Sequence, residues 1–425
     1  MNIRTATRQG ARKGVHDDGD GAPDAARGVI VAASHLRAAE AADLKHRVER
    51  VTAIAAANAA AVDGGSRFPS EAIDAARAER LLSIAIPQDL GGDGLSVADV
   101  VDVCYALGLG CASTAMIYAM HQTKIACLLR HGMTSAWHQR LLRRICAEQL
   151  LLASSTTEGQ GGGDVRNSAA PIVRRDARIS LERQATVISY GEAADGIVTT
   201  ARRAPDAAST DQVLVVFLKQ DYTLERLNGW DAFGMRGTCS EGFKLVAAGS
   251  SEQILPVGYD KIHAQTMMPF AHLAWSGAWA GIAAAAVDRA RAFVRKAAHR
   301  AGGTLPPSAA HLTRANASLR TLRSLITTAV QRYELASAEP ASLEAIDFQT
   351  AMNLLKVNAS ELAVATVMSA MQACGLSGYR NDGEFSIGRH LRDILSSPIM
   401  ISNDRILANV AAASLLSGIP ASLRD

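Results

Sequence analysis

Residues 372–405 read QACGLSGYRNDGEFSIGRHLRDILSSPIMISNDR. Glycines 375, 378 and 383 break the long helical pattern that runs toward them from Ile262, as turn-forming residues do. The same pattern is cut earlier at Gly302–Pro307 and at Glu339-Pro340, so this region reads as several long helices. Before it, from Leu151 to about Pro256, short alternating or β-branched runs such as ATVISY, GIVTTAR and QVLVVFL alternate with polar turns, which predicts strands. Earlier still, residues 36–148 carry helical periodicity again. One turn, Ile86-Pro87-Gln88-Asp89-Leu90-Gly91-Gly92-Asp93-Gly94, interrupts them, and Ser96 is placed to cap the helix that follows. The order is helices, strands, helices.

Composition narrows the class. The 425 residues are 48% hydrophobic but only 4% aromatic, so helices packed through small side chains are expected. The formal charge of +3 is spread among acidic and basic residues, and no nucleic-acid footprint is read from it. Six cysteines show no CxxC pair, and no histidine pair has metal-ligand spacing; a reducing, cytoplasmic setting and no metal are expected. The first 35 residues have no apolar signal core and read as a disordered tail. Met267–Val287 is apolar enough to span a bilayer, yet its alanines and glycines, with Pro269 and His272, read as a buried bundle helix. No strand-Gly-x-Gly-x-x-Gly-helix unit occurs, which argues against a Rossmann enzyme.

Five segments resemble, in order along the chain, those of the acyl-CoA dehydrogenase superfamily. Gln372, Gly375, Gly378, Tyr379, Arg392 and Asp393 fall on its C-terminal Gln-x-x-Gly-Gly-x-Gly-Tyr and Arg-Asp pattern. Thr157, Glu158, Gly162 and Asp164 follow its Thr-Glu-Pro-x-x-Gly-Ser-Asp loop, with Gly159 in place of Pro and Gly163 in place of Ser. Val187-Ile188-Ser189 stands where Trp-Ile-Thr is usual, and Pro87–Gly94 is similar to its N-terminal Pro-x-x-x-Gly-Gly-x-Gly; Trp230–Ser240 resembles its Leu-Gly-x-Arg-x-Ser/Thr-x-Ser edge. The resemblance implies a mainly α fold with a central β-domain: a helical domain over 36–150, a small β-barrel over 151–260 and a four-helix bundle over 261–425. It further implies FAD between barrel and bundle, with Ser154, Thr156, Thr157, Gly163, Ser189, Gln372, Gly375 and Asn403 as cofactor-binding residues. It also implies a homo-oligomer, dimer or tetramer, in which Gln372 and Gly375 approach a neighbour's FAD.

One element is missing. The family's Glu-Gly-Thr, whose carboxylate removes the substrate α-proton, is replaced by Ile401-Ser402-Asn403. The alternative glutamate site, on the first long helix after the β-domain, falls at Ala271. Neither residue is a base. Asp404 and Glu384 read as turn or cap residues, leaving His121 and His272 as the polar groups to test. Three readings follow: an FAD-dependent dehydrogenase acting on an acyl thioester, bound to CoA or a carrier protein, with an unusual or absent base; a flavin monooxygenase of the same fold, using oxygen; or a catalytically silent partner subunit.

Overall fold

The computed structural model describes residues 23–158 and 166–415. The described part of the unit ending at His46 is the first part of one helix, and the unit from Arg47 holds the rest. Helices α1 (Pro23–Gly65), α2 (Ser70–Ala78), α3 (Val97–Gly110), α4 (Ala112–Gly132) and α5 (Ala136–Glu148) come first. Helix thus occupies residues 23–35 of the stretch expected as a tail; residues 1–22 lie outside the described chain. Seven strands follow: β1 (Leu152–Ser155), β2 (Val173–Arg175), β3 (Arg178–Ser189), β4 (Gly196–Arg202), β5 (Gln212–Leu218), β6 (Tyr222–Asn228) and β7 (Ser240–Ser250). The chain closes with α6 (Tyr259–Ile262), α7 (Met268–Arg300), α8 (Ala309–Ser337), α9 (Pro340–Glu344), α10 (Ile346–Cys374), α11 (Leu376–Tyr379), α12 (Gly388–Ile394) and α13 (Asn403–Ser414).

The expected cap is present. Ser96 Oγ accepts from the Asp99 N–H while Asp99 accepts from the Ser96 N–H at 2.9 Å, a reciprocal capping box that starts α3. Strands are hydrogen-bonded in two sheets, ordered β1-β4-β5 and β2-β3-β7-β6. In β3, Ile179, Leu181, Arg183 and Ala185 alternate inward, so a guanidinium occupies a core position of the period-two pattern. The register shifts between Ala185 and Ile188. Such a bulge re-aims side chains, and here Val187 and Ser189 reach a cavity wall.

A turn of π-helix, His263–Met267, joins α6 to α7. The resulting helical run, Tyr259–Arg300, is long and apolar enough to cross a membrane, but 94% of its most apolar window is buried inside the fold. It packs on α3 where Gly108 meets Gly281. A Cβ on Gly281 would lie 2.1 Å from the Tyr105 carbonyl oxygen, and one on Gly108 would lie 2.5 Å from that of Ala278. Backbones meet here directly, as the alanine- and glycine-rich composition suggests. Gly281→Ala is therefore expected to force α3 and α7 apart and cost about 1–3 kcal/mol, measured by urea denaturation; a change below about 0.5 kcal/mol, the range of an indifferent surface substitution, would mean the crossing yields freely.

Candidate active site

A cavity of about 550 Å3 lies between the β-domain and the helices. Its walls follow from helical spacing: Met268, Ala271, His272 and Trp275 on α7, then Ile346, Gln349, Thr350 and Asn353 on α10, each fall at i, i+3, i+4, i+7. Helix α4 adds Met120, Thr123 and Lys124, and the π-turn adds His263 and Met267. Ser154, Thr156 and Thr157, at and just beyond the end of β1, face them together with Val187 and Ser189. Turns of π-helix inside longer helices recur at functional sites.

The β-domain wall is a row of hydroxyls with a defined proton order. Thr238 Oγ1 donates its one proton to the Met235 carbonyl at 2.8 Å. It must therefore accept from Ser240 at 2.8 Å, and Ser240 in turn accepts from Ser189 at 2.8 Å. Ser189 is left with acceptor lone pairs for the cavity. On the bundle wall, Trp275 Nε1 is a buried donor with no partner among the described residues. An acceptor, an orphan donor and the Thr156 and Thr157 hydroxyls fit a flat heterocycle carrying both N–H and C=O groups, as the ring of a flavin does.

Among the sequence-predicted residues, Ser154, Thr156, Thr157, Ser189 and His272 thus meet at one cavity, as does Ile401. His121 does not line it. Its Nε2–H donates to the Leu82 carbonyl at 2.8 Å and its Nδ1 accepts from the Leu152 N–H at 3.1 Å, so both nitrogens are committed to backbone. Its role is to tie β1 to α4. Asn403 is also turned away: it is buried, its Oδ1 accepting from Lys356 Nζ at 2.7 Å and its Nδ2 donating to Ser360 at 3.0 Å. Gln372 and Gly375 are exposed at the end of α10, away from this cavity. Gly163 lies outside the described residues.

The position of the missing carboxylate is tightly built. Ile401 has φ 54°, a conformation a β-branched residue adopts only under constraint. The constraint is visible: Lys356 Nζ donates to the Ile401 carbonyl at 2.6 Å, and Ser402 caps α13. Burial pushes the Lys356 amine down to about 7. The Arg392-Asp393 pair is structural as well. Asp393 accepts from the Met235 N–H at 2.7 Å and Arg392 is bound to Asp63 of α1, which clamps α12 to the β-domain and to the first helix. Burial raises the Asp393 carboxyl to about 6.

No buried carboxylate faces the cavity among its described lining residues. Glu344 reaches its rim, exposed and bonded to Gln265 at 2.5 Å. His272 is buried with Nδ1–H on the Met352 carbonyl at 3.0 Å, and desolvation lowers it to about 3, so it faces the cavity as a neutral imidazole. Sequence reasoning missed Lys124, which is 96% buried on the wall. The available signal was that it is the sole formal charge between Cys111 and Leu129.

Residues 39–149 match the family model "Acyl-CoA dehydrogenase, N-terminal domain", and residues 263–416 match "Acyl-CoA dehydrogenase, C-terminal domain". Cyclohex-1-ene-1-carbonyl-CoA dehydrogenase of Geobacter metallireducens is 27% identical over 361 residues, covering 84% of this chain and 92% of that protein. L-evernosamine nitrososynthase of a Micromonospora species is 25% identical over 81% of this chain and 82% of its own length. The crystal structure of FMN-bound TdsC from Paenibacillus sp. A11-2 superposes with a TM-score of 0.77 at 16% identity, covering 89% of this chain and 98% of that one.

Proposed function

The chain belongs to the acyl-CoA dehydrogenase family, and from that premise we propose that it is an FAD-dependent oxidoreductase that oxidises a small substrate with dioxygen rather than by α-proton removal. The supporting observation is the wall at both glutamate positions: Ile401 and Ala271 line the cavity as hydrocarbon, and no buried carboxylate replaces them among the described lining residues. Thr156, Thr157, Ser189 and the Trp275 indole would hold the flavin ring. Bound there in its reduced form, FAD would supply the electrons that activate oxygen. Met267, Met268 and Ile401 would keep water from the reacting atoms. His272 is too weakly basic to take a proton at neutral pH, and its Nε2 would orient a substrate N–H or O–H by accepting a hydrogen bond.

A second reading, dehydrogenation of an acyl thioester, is favoured by the share of the Geobacter dehydrogenase that the chain covers. FAD-loaded protein mixed anaerobically with butyryl-CoA or cyclohex-1-ene-1-carbonyl-CoA separates the two. The flavin is expected to stay oxidised. Bleaching within seconds would establish the dehydrogenase reading, and failure to bind FAD on reconstitution would remove both in favour of a silent partner subunit. A homo-oligomer in the cytoplasm is part of the proposal; Leu376 and Tyr379, each 73% exposed beside Gln372 and Gly375, form an apolar surface suited to a second copy.

A further inference from the structure

Lys124 has no role in the chemistry above. It is 4% exposed on α4 and opens onto the cavity. Among the described residues its Nζ has one hydrogen-bond partner, Met267 Sδ at 2.9 Å, and a thioether is a weak acceptor. Among the described residues no carboxylate balances it. Cys127, one turn along, is held as a thiol by burial, which pushes it up to about 12. Of the other titratable groups on the cavity wall, Arg166, His263, His272, Tyr259 and Arg405 offer no negative charge, and Glu344 is exposed and bonded to Gln265. Burial lowers the Lys124 amine to about 8, which leaves it mostly protonated at neutral pH. A desolvated ammonium without a counter-charge is costly in a folded protein, and such groups recur where a ligand completes them.

We propose that Lys124 is the specificity-determining residue of the cavity, its ammonium pairing with an oxyanion, carboxylate or phenolate, carried by an otherwise apolar substrate seated against Met120, Met267 and Trp275. The walls fix the rest of the class: methionine and indole accept varied apolar shapes, while the buried charge of Lys124, unlike the exposed Arg166 and Arg405, sets which end of the molecule points to α4. This inference stands independently of the redox assignment, since it concerns recognition alone.

Calorimetric titration of the full chain with benzoate and with benzamide, which share a shape and differ in charge, tests it. Wild type is expected to bind benzoate about ten-fold or more tightly than benzamide, as a charge-assisted hydrogen bond implies. In Lys124→Met the preference should fall within about two-fold. Thermal unfolding of the ligand-free variant should show a midpoint no lower than wild type, because a buried charge has been removed; if it does not fold, Lys124→Gln takes its place. Equal affinities in wild type, no benzoate binding, or a benzoate preference that survives the substitution would overturn the proposal. Repeating the titration on FAD-loaded protein distinguishes the source of the oxyanion: a preference that vanishes on loading assigns Lys124 to the cofactor and overturns its assignment to substrate. Because heat of binding is the readout, a protein that never takes up flavin still gives an answer.

Discussion

Lowering the pH from 7 to 5 is expected to unfold the protein. Five histidines, His121, His131, His138, His272 and His390, are buried, and desolvation is the largest cause lowering each, to about 4 for the first three and about 3 for the last two. The sign follows from linkage. Below the ordinary imidazole value near 6.5 the unfolded chain takes up protons that the fold refuses, so stability present above that value is lost as pH falls toward the folded values. Each group costs about 1.4 kcal/mol per pH unit in that window, or roughly 2 kcal/mol by pH 5, and five together cost roughly 10. That sum matches the whole stability of a typical domain, about 5–15 kcal/mol. Asp393 works in the opposite direction, since its raised carboxyl takes up a proton on the same descent, but it returns only about 1 kcal/mol. Far-ultraviolet circular dichroism should show cooperative loss of helix centred between about pH 4.5 and 5.5. A native spectrum retained at pH 4 would mean that the histidines accept protons inside the fold.

Removing the Glu158 carboxylate should have the next largest effect. Glu158, 7% exposed, pairs with Arg183 at 3.3 Å, and Arg183 is fully buried in the inward stripe of β3. The same carboxylate accepts from Ser168 Oγ at 2.9 Å and the Ala169 N–H at 2.5 Å. Desolvation already lowers the Arg183 guanidinium to about 10 even with its partner in place. In Glu158→Ala the cation stays in the core unpaired, at an expected cost of about 3–5 kcal/mol in urea unfolding. Because Thr156 and Thr157 immediately precede Glu158, the hydroxyl wall should loosen and FAD affinity fall with it. The double variant Glu158→Leu with Arg183→Met is expected to recover most of the stability, since hydrocarbon replaces the entire pair. A single substitution costing under about 1 kcal/mol, as an exposed pair would, removes this account.

Much of the architecture was legible because its signals are local. Helical and strand periodicities separated the three blocks, and Ser96 lies only three residues from the aspartate that completes its cap. Of the site residues, Ser154, Thr156, Thr157 and Ser189, implied by the family resemblance, line the cavity, as does His272. His121 carries the same chemistry as His272, yet the Leu82 carbonyl and the Leu152 N–H, each more than 30 residues away, consume it. Asn403 was similarly removed from the cavity by Lys356, 47 residues earlier. Arg392 and Asp393 matched a family pattern, but the pattern does not disclose that Asp63 and Met235 are what they hold. Lys124 is an ordinary lysine until the π-turn sets Met267 against it, and burial by a distant segment leaves little local trace.

The π-turn at His263–Met267 sets the phase of everything after it. A π-turn closes its hydrogen bond one residue later than an α-turn and so absorbs one extra residue; straightening it to ordinary helix with no deletion would rotate α7 by about 100°. His272 and Trp275 would leave the cavity wall, and Phe270 and Ala274 would turn toward it. The one extra residue held in this short stretch is thus what keeps that wall turned toward the reaction space, and the wall would survive the loss of a residue here better than a straightening of the turn.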